Sequence, residues 1–340
     1  MNNSESLTPN KISSLKNRIS LWDNIKFLLI VLVVIGHFAD ALINDSNAFK
    51  SLYVFIYAFH MPLFIFISGL FFKPKDVTSK CLMYISIGFA LKITNFLVKY
   101  FLGLNPSFSI LSDGGIPWFM FAIAAFTLLA YILRNQNKTY ILFFSILLAC
   151  FAGYDKEIGD FLYLSRIIIF FPFYWLGTMI KQNKILDKKE KYSKPLFASG
   201  IIILIIWAYL CLAHLDLIYN LRHLFTGRNY FSNVVYQYGP FARLLCYFIS
   251  IVLSIAIIGI VPNKNMKNIT IYGKRTLQVF FWHYPVIYAL FTIFDFKVLC
   301  KNIYGKLIFL EIAVLIAIFL SNKIFSFPTK QISICSRKKE

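Results

Sequence analysis

Ile25-Lys-Phe-Leu-Leu-Ile-Val-Leu-Val-Val-Ile-Gly-His-Phe-Ala-Asp-Ala-Leu-Ile43 is a nearly unbroken apolar run. A hydrocarbon layer of ~30 Å is crossed by about 20 mostly apolar residues in a helix, and this stretch meets that requirement. Its apolar residues are continuous rather than alternating, so it does not read as a strand of a membrane β-barrel. A helix also satisfies each backbone N–H and C=O inside the segment, which lipid cannot do. The stretch is therefore read as a spanning helix.

Comparable runs lie near 53–72, 81–103, 116–133, 139–153, 161–180, 196–215, 238–261, 271–294 and 303–325, the one at 139–153 being the shortest. With 59% hydrophobic residues, 15% charged residues and a mean hydropathy of +0.67, the chain has too much apolar surface for one soluble core. The fold class is all-α, a polytopic membrane bundle of about ten transmembrane helices. Residues 1–24 are expected to be a cytoplasmic tail, 25–325 the transmembrane domain and 326–340 a basic cytoplasmic tail. The polar first segment shows no signal-peptide cleavage pattern, so the first span is expected to be retained.

Positive residues mark the cytoplasmic side of short loops. With the N-terminus inside, that side holds Lys11, Lys16 and Arg18; Lys73, Lys75 and Lys80; Arg134 and Lys138; six lysines from Lys181 to Lys194; Lys264, Lys267, Lys274 and Arg275; and Lys330, Arg337, Lys338 and Lys339. The other side holds Lys50, Lys156, Arg222, Arg228, Lys297 and Lys301. Both termini are thus expected in the cytoplasm of a cell with a bacterial-type cytoplasmic membrane. The net charge of +20 reads as topology plus attraction to anionic lipid heads. Nucleic acid is not an expected partner, because the positives are scattered over six short segments.

Cys81, Cys150, Cys211, Cys246, Cys300 and Cys335 show neither CxxC nor Cys/His spacing, so no metal or bound cofactor is expected. No internal repeat of the transporter kind is evident. Ionisable residues inside apolar spans are more informative, because they cost several kcal/mol by insertion scales (~3 kcal/mol) and are usually functional. At ~1.5 Å per residue, His37 in the first span and His60 in the second fall at similar depths. Arg166, Arg243, His283 and Glu311 come from four further spans and lie roughly 8 to 14 Å from the outer face by the same arithmetic. For each there is a plainer role: a histidine bonded between helices, an arginine snorkelling outward, a glutamate that only neutralises one of them. His214 and His223 read as solvated residues of the seventh span's outer end and its loop.

Two motifs at a specific separation carry a family resemblance: Leu21-Trp-Asp-Asn-Ile-Lys-Phe leading to Val34-Ile-Gly-His37, and Phe59-His-Met-Pro-Leu-Phe-Ile-Phe-Ile-Ser-Gly69. With Pro117-Trp-Phe119, Ser165-Arg-Ile, Phe171-Pro-Phe-Tyr-Trp-Leu-Gly177, Tyr272-Gly-Lys-Arg-Thr and Trp282-His-Tyr-Pro285, the sequence resembles the acyltransferase 3 membrane proteins along nearly its whole length. It looks most like the stand-alone sugar O-acetyltransferases of the fucose-acetylase-like branch. The resemblance implies transfer of an acyl group, usually acetyl from acetyl-CoA, to a sugar of a capsule, exopolysaccharide or lipid-linked glycan. One position departs from the pattern. Eleven residues before the first histidine, where the family usually has arginine, stands Lys26, which keeps the charge and loses bidentate phosphate recognition. Some relatives carry an extracytoplasmic domain after the tenth span; where acceptor handling requires one, a separate protein would supply it here.

Transfer to a sugar hydroxyl needs a base, and histidine is the side chain best poised for that near neutral pH. His37 is the first candidate, with His60 to orient it, hold the carbonyl or relay the proton. Arg166 is a candidate for the developing oxyanion or the sugar. A covalent acyl-histidine is the variant route. Trp118, Arg243, His283 and Glu311 are candidates to line the acceptor site. Lys26, Lys73, Lys75, Lys274 and Arg275 are candidates for the acyl-CoA phosphates, although topology alone would also place them there. The alternative from another class is a transporter or flippase of a glycan or lipid precursor using the same polar layer. A purely structural subunit would not explain six ionisable groups at one depth. The oligomeric state is not legible.

Overall fold

The computed structural model describes residues 9–112, 115–227 and 230–337, and every regular element among them is a helix. The first half holds α1 (Pro9–Ala41), α2 (Asn47–Tyr57), α3 (His60–Leu70), α4 (Val77–Phe101), α5 (Trp118–Ile132), α6 (Lys138–Phe151), α7 (Leu164–Met179) and α8 (Gln182–Lys191). Then come α9 (Ser193–Ala213), α10 (Leu215–Asn220), α11 (Arg222–Thr226), α12 (Gly239–Ile260), α13 (Asn268–Gly273), α14 (Thr276–Ile293), α15 (Phe296–Leu299), α16 (Ile303–Leu320) and α17 (Thr329–Arg337). Among the described residues nine segments are long and apolar enough to span a bilayer, and α6 with its short extension is a tenth, shorter apolar helix. The chain is a polytopic helical membrane protein. Their outward faces carry large apolar side chains such as Phe101, Leu212, Phe241 and Phe319, the surface expected where lipid is the solvent.

The second span is two helices. Pro62 has no N–H to offer the carbonyl four residues back, and its ring clashes with that carbonyl. The carbonyl is that of Ala58, and the helix breaks there: Phe59 leaves helical geometry at φ −139°. Ser250 of α12 donates its hydroxyl to the freed Ala58 carbonyl, so that acceptor keeps a partner in the apolar interior.

Small residues let helices meet closely in lipid, where no hydrophobic force joins them. A Cβ on Gly69 of α3 would lie 2.0 Å from the Tyr174 carbonyl of α7, and one on Gly177 of α7 would lie 2.2 Å from the Phe66 carbonyl of α3. These reciprocal glycines fix how α3 and α7 cross.

Hydrogen bonds identify which helix ends share a side. Asn24 of α1 donates to the carbonyls of Pro262 and Lys264 and accepts from Thr270. Arg275 donates to the Ser321 carbonyl, Gln278 to those of Leu320 and Asn322, and Gln182 to that of Leu70. Lys189 donates to the carbonyls of Ile258 and Gly259, shortly before Pro262, so the lysine-rich segments 181–194 and 264–275 lie at one end, called the basic end below. At the opposite end the Phe231 N–H donates to the Gly153 carbonyl and the Leu162 N–H to that of Leu111. Residues 326–340, expected as a tail, include α17, which packs against α4; Trp282 donates to the Phe327 carbonyl beside it. Lys11, Lys16, Arg18 and Arg337 to Lys339 belong to stretches whose side chains fall outside the described residues.

Candidate active site

A cavity of about 210 Å³ is lined by His37 and Asp40 of α1, Tyr53 and Tyr57 of α2, His60 of α3, Trp118 of α5, Arg166 of α7, His223 of α11 and Tyr284 of α14. Seven helices thus contribute polar or aromatic groups to one enclosure. His37 Nδ1 lies 3.1 Å from the Tyr57 hydroxyl and 3.1 Å from the Tyr284 hydroxyl. An imidazole nitrogen has either one proton or one lone pair, so these two phenols compete for one position. They hold the ring in place while leaving Nε2 outside this contact.

His60 is held differently. Its Nδ1 lies 2.9 Å from the Ile56 carbonyl. A carbonyl only accepts, so Nδ1 carries the proton and neutral His60 presents an unprotonated Nε2. The Ile56 carbonyl lies beside the break and accepts from the Phe59 N–H as well. His283 repeats the arrangement with Nδ1 donating to the Val279 carbonyl at 3.1 Å. His283 is fully buried, stacks on His37 with ring centroids 5.4 Å apart, and its Nε2 has no hydrogen-bond partner among the described residues. It stands behind His37 and is not part of the cavity lining.

Arg166 is buried with its guanidinium 4.8 Å from the Trp118 ring centroid, and Nη2 lies 4.0 Å from Asp160. The indole face fixes the plane of the guanidinium.

The cavity has a neighbour on each side. Toward the basic end, a cavity of about 200 Å³ is lined by Lys26, Ile30, Ser68, Tyr84 and Thr276 and shares Val33, Met61 and Phe280 with the histidine cavity. Toward the opposite end, a polar vestibule of about 510 Å³ is lined by Asn95, Lys99, Ser107, Ser109, Asp160 and Tyr288 and shares Gly115 and Tyr284. Lys92, buried inside the third span, donates to the carbonyls of Ile110 and Ser112 and to the Tyr163 hydroxyl, and so moors the loop that roofs this vestibule.

The family model for an acyltransferase domain, acyltransferase 3, matches residues 19–329. The chain belongs to the acyltransferase 3 family. Over 220 residues it is also 29% identical to nodulation protein NolL of Sinorhizobium fredii, strain NBRC 101917 / NGR234, covering 59% of this chain and 58% of that relative. The chain therefore spans little more than half the length of the curated relative it matches. No solved structure matches. The histidine cavity is the candidate active site of this acyltransferase 3 family member.

Three expected lining residues are corrected: His283, sealed behind His37, and the two that follow. Glu311 is exposed on the outside of α16, turned away from the cavity. Arg243 is fully buried outside the cavity; it donates to the Leu224 carbonyl and lies over the Phe231 ring. Depth alone placed both, and depth says nothing about which way a helix face turns. Among the five cations considered for CoA phosphates, Lys26 lines a cavity, held by Asp23 at 2.7 Å. Lys73, Lys75 and Lys274 are exposed, and Arg275 is engaged with Ser321. Sequence reading missed Asp40, Tyr57, Tyr284 and His223. The first two had a signal: each lies three positions from a histidine, on the same helical face or on the broken span beside it. His223 had none, since it reaches the cavity only through the fold of α11.

Proposed function

We propose that this protein transfers an acyl group from acyl-CoA, acetyl-CoA being the simplest donor, to a hydroxyl of a cell-surface glycan. The observation that carries this reading is the sequence of three cavities, with the histidines and Arg166 in the middle one. The thioester arm occupies the Lys26 cavity from the basic, cytoplasmic end. Along α1, Lys26 and His37 are eleven residues apart, ~17 Å of helix, so a CoA phosphate near Lys26 leaves an extended arm to reach the histidines. The acceptor enters from the polar vestibule, where Phe96, Phe108 and Tyr288 offer ring faces and Asn95, Ser107 and Ser109 offer hydrogen bonds to a sugar.

In the reaction the acceptor hydroxyl attacks the thioester carbonyl. A histidine nitrogen takes its proton, the carbon–sulfur bond breaks, and CoA leaves as the thiol after receiving a proton. His37 is the assigned base, with Tyr57 and Tyr284 setting its ring. His60, with Nε2 free of its proton, serves as the partner that relays or receives it. Arg166 faces the charge that develops on the carbonyl oxygen, a contribution on the order of 3 kcal/mol in a water-excluded site.

The test is the purified full chain in proteoliposomes with isotopically labelled acetyl-CoA and glycan acceptor, together with O-acetyl content of the host polysaccharide by NMR. Label transfer by the wild type and its loss in His37→Ala at equal membrane abundance are expected. Unchanged acetylation with reduced surface polymer in a deletion strain would overturn the reading and restore the transporter.

A further inference from the structure

Outside the three cavities lies an apolar groove of about 360 Å³, bounded by α3, α7 and α12 and by the corner where α8 meets α9. Its walls include Pro62, Phe66, Leu176, Ile251 and Ile255, and its one charged edge is formed by Lys188 and Lys189 of α8. These two lysines have different tasks. Lys189 is buried and donates to the carbonyls of Ile258 and Gly259 at 2.7 and 2.6 Å. It thus caps the last turn of α12, where carbonyls lack helical partners, and burial pulls its ammonium below the ordinary lysine range. Lys188 is exposed at the groove's mouth.

We propose that this groove holds one acyl chain of an anionic phospholipid, with the lipid phosphate seated on Lys188. An apolar recess in a membrane-facing surface has no water to fill it and takes hydrocarbon instead. The occupant's charge follows from the edge: α8 carries Lys184, Lys188, Lys189 and Lys191 against Asp187 and Glu190, at the level where spans end and lipid heads begin. A cation above an apolar slot matches a lipid with a negative head and a hydrocarbon tail. A lipid-linked glycan fits less well, because the charged edge lies at the basic end while the vestibule opens at the other. The chain would pack on Pro62 and Phe66, on the helix that carries His60, so the bound lipid supports the broken span from its outer side.

Native mass spectrometry of the full chain, released from micelles supplied with phosphatidylglycerol or phosphatidylcholine of identical chains, tests this without any acyl-transfer readout. The wild type is expected to retain phosphatidylglycerol about fivefold better, the effect of one lysine near a lipid head. Lys188→Glu should remove that preference. Lys184→Glu, on the same helix but outside the groove, should keep it. Leu176→Trp should fill the groove and lose both adducts; Ile255→Trp, from the facing wall, does the same if the first variant fails to fold. Equal retention of the two lipids by the wild type, an unchanged preference in Lys188→Glu, or full adducts in a folded tryptophan variant would overturn the proposal.

Discussion

His60-Met61-Pro62 and His283-Tyr284-Pro285 are the same local device in two helices: a histidine two residues before a proline, its Nδ1 bonded to the carbonyl four residues back. Their outcomes differ. At Pro62 the span breaks, and His60 lines the cavity. At Pro285 the helix continues from Thr276 to Ile293, and His283 is sealed behind His37. At the broken span a group outside the motif takes part, since Ser250 supplies a donor to the Ala58 carbonyl and so stabilises the open turn. A proline creates the possibility of a break; a neighbouring helix decides whether the break is kept.

The comparison is open to direct attack. His60→Ala and His37→Ala are expected to lower turnover by about 10²- to 10⁴-fold, the range for removing a general base. His283→Phe, which keeps a ring against His37 while removing both nitrogens, should cost less than about tenfold; an equal loss would make the two sites equivalent and place His283 in the chemistry. Steady-state kinetics on matched membranes measures all three. Arg166→Met is expected to cost about 10²-fold in turnover with a small change in KM for acyl-CoA, while Arg166→Lys recovers part of it. Next in size, Pro62→Ala should lower turnover by roughly tenfold or more by letting α2 and α3 join and shifting His60, whereas Pro285→Ala should leave it within about threefold. The smallest expected effect is thermodynamic. Ser250→Ala leaves the Ala58 carbonyl without its donor and should cost about 1–3 kcal/mol, read as a lower unfolding midpoint in micelles.

Much of the bundle was legible because apolar length is a one-dimensional property. The runs around Ile25 and Cys81 announce helices by composition alone, and the scatter of lysines foretold which loops share an end. His37, His60, Arg166 and Trp118, singled out as polar groups inside apolar runs or by the family resemblance, line one cavity. Glu311 and Arg243 were misplaced because depth is a property of one helix, whereas facing the cavity depends on how that helix is rotated against its neighbours. Asn24 shows another limit. The Asp23-Asn-Ile-Lys26 motif drew attention to its cation, but Asn24 is the residue that bolts the loop at 262–270 to α1. Sequence also does not show that Lys92 reaches across to the loop at 110–112, because that contact exists only once α4 and the loop are brought together.

The reciprocal approach of Gly69 and Gly177 makes the α3–α7 crossing a pivot. Nine residues separate Gly69 from His60 and eleven separate Gly177 from Arg166, arms of ~14 and ~17 Å at the rise of a helix. On arms of that length, a swing of about 4° at the pivot displaces the far side chain by ~1 Å, enough to move a catalytic group out of register. A methyl group added at either glycine would therefore act as a wedge at the short end of two levers, detuning the cavity from a place no substrate touches.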